Sequence, residues 1–176
     1  MKRISVPFAL LALALAAPAF AGDMHHVGAG GAFAPPALEP MKKLEGTWTG
    51  TAGTGDQTMD ATVTYKVTAN GSGVMETLFP GTSHEMVTMY TVDRGALVLT
   101  HYCAAGNQPR MRARAGGARE LVFDFAGGAG IDPHRDQFMH DARIVFVDDD
   151  HLRTEWTDWN GGRPGPTRVF TLARRK

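Results

Sequence analysis

From residue 47 onward, apolar and polar side chains alternate in short runs, the period-two signature of strands with one face buried. Residues 60–69 carry it cleanly: Val63, Tyr65 and Val67 fall on one face, Thr62, Thr64 and Lys66 on the other. Residues 119–125 group Leu121, Phe123 and Phe125 opposite Glu120 and Asp124. The same reading predicts strands over 47–53, 60–69, 73–80, 85–92, 96–103, 109–115, 119–125, 137–147, 151–159 and 167–174. Turn-forming groups separate them, among them Asn70-Gly71-Ser72, Asp93-Arg94-Gly95, Asp148-Asp149-Asp150 and Gly161-Gly162-Arg163-Pro164. Ahead of the first strand, Leu38, Met41 and Leu44 recur at every third position and Gly46 follows, which predicts one short amphipathic helix stopped by glycine. Short strands at this spacing, with no long helix and no fixed repeat, predict an all-β fold: an antiparallel up-and-down barrel of about ten strands with one short N-terminal helix.

The beginning of the chain follows another pattern. Met1-Lys2-Arg3 is a short cationic start, Ile4 to Phe20 is apolar, and Ala19-Phe20-Ala21 has the small residues of a cleavage site. Residues 1–21 are therefore expected to be a signal peptide cut after Ala21, and the protein to be periplasmic or secreted. The apolar run holds Pro7 and Pro18 and no basic cluster follows it, so no membrane span is expected. Residues 22–36, with Gly28-Ala29-Gly30-Gly31 and Pro35-Pro36, read as a flexible leader, leaving 37–176 as a single barrel domain. Charge narrows the partners: 18 Lys and Arg balance 18 Asp and Glu, which lacks the basic footprint of a nucleic-acid-binding protein. One Cys excludes an intramolecular disulfide framework and a cysteine zinc cage.

The helix running into Leu44-Glu45-Gly46-Thr47-Trp48-Thr49-Gly50 resembles the opening of calycin-type barrels. Lipocalins, fatty-acid-binding proteins and the nitrobindin haem barrels share a Gly-x-Trp in their first strand, and the resemblance implies that Trp48 closes one barrel end. It does not extend to haem, since Leu172-Ala173-Arg174 has no nearby histidine to match the nitrobindin ligand. A second stretch, Glu76-Thr77-Leu78-Phe79-Pro80-Gly81 through Thr100-His101-Tyr102-Cys103 to Gly106-Asn107-Gln108-Pro109-Arg110-Met111, resembles a family of exported bacterial proteins of unknown function. That likeness implies export and a shared fold, and no activity.

Candidate chemistry follows from which polar residues point inward. His101 shares a phase with Leu97 and Leu99, and His140 with Phe138, Ala142 and Ile144. Glu76 alternates with residues as apolar as its own neighbours, so its direction stays open. The expectation is that His101 and His140 point into one cavity, with Glu76 as the nearest carboxylate and Tyr102 or Arg110 near the rim. Arg110, Arg112 and Arg114 read either as a solvated outer stripe or as an inward anion receptor. Cys103 is expected to be a buried, inert thiol. The Gly127-to-Pro133 loop is long enough for a lid over the mouth. Three functions remain open: a module binding a small, mostly apolar molecule with a polar end; an enzyme using Glu76, His101 or His140 as acid, base or metal ligands; and a packed envelope or interaction protein. No cofactor and no oligomeric state is implied.

Overall fold

The computed structural model describes residues 36–176, so the predicted signal peptide (1–21) and nearly all of the predicted leader (22–36) lie outside the described residues. A turn of 3-10 helix (Pro36–Leu38) runs into a single α-helical turn, α1 (Glu39–Lys42). Ten strands follow: β1 (Gly46–Thr54), β2 (Gln57–Thr68), β3 (Gly73–Leu78), β4 (Met86–Asp93), β5 (Ala96–Tyr102), β6 (Pro109–Arg114), β7 (Glu120–Gly128), β8 (Gln137–Phe146), β9 (His151–Asn160) and β10 (Arg163–Arg174). Each pairs antiparallel with the next, and β10 returns to pair with β1, closing the barrel. The all-β barrel with one short helix is the expected architecture, and closure leaves the sheet without a free edge.

Turn chemistry sets the hairpins. Arg94 and Gly95, and again Gly161 and Gly162, take positive φ in two-residue connections, the geometry that matches the twist of the flanking strands. Gly50 has a different role: a β-carbon there would run into the Thr171 carbonyl of β10. Only glycine lets β1 come so close to its closing partner.

Inward alternation fills the lumen with Val63, Tyr90, Leu99, Met111, Phe123 and Ile144, among others. One end is sealed. Leu38, Met41 and Leu44 tuck under the helical segment, and Trp48, 1% exposed, lies beneath them. The carbonyls that follow α1 have no helical partner and are taken by side chains from both sides of the barrel seam. Trp48 Nε1 donates to Leu44 O at 2.8 Å, while Arg174 donates to Lys43 O and Glu45 O, each at 2.8 Å. The Arg174 guanidinium also sits 4.3 Å above the Trp48 ring, a cation–π contact. Trp48 thus closes a barrel end.

Pairing is interrupted in one place that matters. The β8–β9 register shifts between Met139 and Asp141, so His140 is the extra residue of a bulge. Met139 faces Asp158 and Ala142 faces Trp156, two positions apart on β9. Met139 therefore takes the inward place that strict alternation gave to His140.

Candidate functional site

The opposite end of the barrel is open. A cavity of about 300 Å³ sits there, walled by Leu78, Phe79, Met86, Met139, Trp156 and Phe170, with Met59, Ala104, His84 and Arg168 around the mouth. His101 is the polar residue set deepest in this wall, and it is 2% exposed. Its imidazole packs against the Trp156 indole with ring centres 5.0 Å apart.

Behind His101 a row of polar side chains crosses four consecutive strands. Tyr65 on β2 stands opposite Glu76 on β3, Glu76 opposite Thr88 on β4, and Thr88 opposite His101 on β5. Cross-strand neighbours on one face are within reach of each other, and the Tyr65–Glu76 and Thr88–His101 pairs are hydrogen-bonded. Tyr65 donates its hydroxyl to Glu76 Oε1 at 2.7 Å, and Tyr90 donates to Oε2 at 3.0 Å. Thr88 Oγ1 lies 3.0 Å from His101 Nδ1. His101 Nε2 has no hydrogen-bond partner among the described residues, and the residue lines the cavity.

Burial dominates the electrostatics. Glu76 is 1% exposed, and desolvation raises its pKa above the usual carboxylate range, while the hydroxyls of Tyr65, Thr88 and Tyr90 pull it back down. Burial and the neighbouring carboxyl push both tyrosines well above 10, so they remain phenols that donate. Burial lowers His101 to about 4, which keeps it neutral near neutral pH. One more polar atom stands out: Trp156 is 3% exposed, and its indole Nε1 is buried with no hydrogen-bond partner among the described residues. Such orphans are rare in native structures and call for a reason.

The expected constellation is only partly assembled. His101 and Glu76 both lie inside the barrel, on either side of Thr88 in the register, although Glu76 is sealed behind His101 and is not part of the cavity wall. His140 does not share the cavity. Its ring stacks on Trp159 with centres 4.2 Å apart, and Phe125 and Phe138 complete a second aromatic cluster. Trp156 and Trp159 are three apart on β9 and so project to opposite faces, which separates the two histidines. The bulge is the cause. The second cluster fills the gap where the β7–β8 ladder stops at Phe123 and Ala142, and Trp159 Nε1 donates to Pro133 O there at 2.9 Å. The glycine-rich loop is thereby pinned over this cluster, and none of its residues lines the cavity, so it forms no lid there.

Tyr102 and Arg110 also lie elsewhere. Tyr102 alternates outward from His101 and is 49% exposed. Arg110 pairs with Asp93 at 2.9 Å on the outer surface, Arg112 reaches the same carboxylate, and Arg114 pairs with Asp124, so the arginine stripe is the solvated outer one. Cys103 is half-buried and not sealed, because β5 ends at Tyr102 and Cys103 opens the loop that follows. Among the described residues no cluster of His, Cys, Asp and Glu is placed to hold a metal, and the set of His101, His140 and Glu76 is divided between two sites. Sequence reasoning passed over Thr88, Tyr90 and Trp156, and gave Tyr65 a face but no role. The inward phase of Leu152, Thr154 and Trp156 on β9 was the available signal for the last of these.

These features define a class: a closed ten-stranded barrel, shut at one end and holding an apolar cavity at the other. No protein-family model matches the chain, and no curated protein matches it. Among solved structures, a protein of unknown function from the DUF3598 family of Nostoc punctiforme is similar, with a TM-score of 0.44 and 13% identity over 77% of this chain and 48% of that one. The chain spans about half the length of that neighbour. Among the described residues no helix is long and apolar enough to cross a membrane.

Proposed function

We propose that this protein is an exported, calycin-like binding barrel that holds a small, mostly apolar molecule by one polar end in the open cavity. The observation that carries the reading is an apolar wall interrupted by the His101 imidazole, beside Trp156, whose buried indole Nε1 the protein leaves without a partner. A packed structural barrel has no need to bury a donor without a partner, since the cost of stranding one is about 1–3 kcal/mol. A cavity near the lower end of the usual range, about 300–1,000 Å³, suits a compact ligand. Trp48 beneath the helical segment supports the calycin likeness, and the cationic start, apolar run and Ala19-Phe20-Ala21 support export to the periplasm or beyond.

The test is extraction of the purified protein with organic solvent and mass spectrometry of the extract, alongside titration of tryptophan fluorescence with small apolar alcohols. A stoichiometric small molecule, or saturable quenching that Ala104→Trp at the mouth abolishes, is the expected result. An empty preparation together with quenching that the mouth variant leaves unchanged overturns the reading.

A further inference from the structure

The cavity is lined unevenly in charge: an arginine stands at its mouth, and among the described residues no aspartate or glutamate lines it. We infer that the ligand is a compact aromatic monocarboxylate, with its carboxylate on the Arg168 guanidinium and its ring among the aromatic side chains further in. This rests on the binding reading above and names the ligand class that reading leaves open.

Strand phase puts Arg168 where an anion would arrive. On β10, Leu172 and Phe170 face the lumen and are buried, and Arg168 is the next residue in that phase. It stands opposite Trp156, an inward residue of β9. Pairing of β10 with β1 ends at Val169 and Gly53, so Arg168 sits on the rim and is exposed. Arginines on the outer surface are matched: Arg110 and Arg112 with Asp93, Arg114 with Asp124, Arg143 with Glu120. Arg168 has no ion-pair partner among the described residues. Its planar fork fits a carboxylate and keeps its charge at any working pH. A single cation balances a single negative charge. A phosphate monoester carries up to about two, and the second would face an apolar wall at a cost in desolvation.

The body of the ligand meets rings. Phe170, the neighbour of Arg168 in phase, packs on Phe79 with ring centres 5.7 Å apart, and His101 and Trp156 form the second pair. Phe79 holds a φ of 52°, a left-handed conformation that is costly for a bulky side chain. Strain of that kind persists at ligand clamps, and here it accompanies a ring held in the cavity wall. Contacts between rings add to what buried area alone supplies. A cavity of about 300 Å³ suits a compact ring better than a long chain.

The test uses three probes with equal numbers of heavy atoms: 4-ethylbenzoate, its neutral amide 4-ethylbenzamide, and nonanoate. Calorimetry on the full chain should show 4-ethylbenzoate binding roughly threefold or more tighter than the amide, and tighter than nonanoate. In Arg168→Gln the preference for the benzoate over the amide should vanish, with the affinity of the amide unchanged. Added salt should weaken the benzoate in the unmodified protein and leave the amide alone, a readout that needs no variant. Equal affinity for benzoate and amide, or a preference that survives in Arg168→Gln, overturns the carboxylate assignment. Equal or tighter binding of nonanoate overturns the aromatic body. If none of the three binds while small apolar alcohols still quench the tryptophan fluorescence, the ligand class falls and the binding reading stands. If the alcohols fail as well and the extract is empty, both fall.

Discussion

A carboxylate buried without a cation is the most demanding residue in this barrel. Glu76 is held by hydroxyls alone, and the two tyrosines depend on it as much as it depends on them. Glu76→Leu should strand both phenols and destabilise the fold by about 1–3 kcal/mol for each. Adding Tyr65→Phe and Tyr90→Phe should recover most of that loss, and urea midpoints of the single and triple variants check it. His101 adds a pH dependence of definite sign. Folded, it titrates near 4; unfolded, it returns to about 6.5. Between those values the unfolded chain binds the proton and the folded one does not. Its contribution is intact above about pH 6.5 and is lost as pH falls toward 4, about 3 kcal/mol in all. Glu76, with its pKa raised, acts in the opposite sense from the ordinary carboxylate range upward. Comparison with His101→Gln isolates the histidine: the stability of the natural protein relative to the variant should fall by that amount from neutral pH to about 4.

At the level of elements, turn residues and alternation made nearly every strand legible. All ten strands lie where alternation places them, with ends displaced by a few residues, because glycine pairs and acidic turns punctuate the chain. The helix was legible from Leu38, Met41 and Leu44, all of which are buried. What escaped was direction. Glu76 had apolar neighbours in both phases, so nothing local decided its face, and burial was settled by tyrosines on other strands. His140 was misplaced because a bulge shifts phase by one residue without a marker residue such as glycine. That misplacement has a measurable counterpart. His140→Ala should cost about 0.5–1.5 kcal/mol of stability through its lost stacking on Trp159. Ligand affinity at the cavity should be unchanged, as calorimetry of the variant would show.

For the whole molecule, stability is concentrated at the sealed end and binding at the open one. Trp48→Ala should remove about 3–5 kcal/mol, since it empties a buried site and leaves Arg174 without its aromatic platform. Denaturant unfolding reads that loss, and its size should exceed that of any single change around the cavity mouth. The clasp between Trp48 and Arg174 also has a consequence in time. Neighbouring strands meet as local hairpins, which form within microseconds, whereas β1 waits for β10 across almost the whole described chain. Loop closure over such a span makes the seam a late and slow event. Until it happens, β1 and β10 are both open edges, and one chain's first strand can be captured by another chain's last. Refolding at high protein concentration should therefore yield exchanged dimers that refolding at low concentration avoids, with burial of Trp48 as the final step in either case.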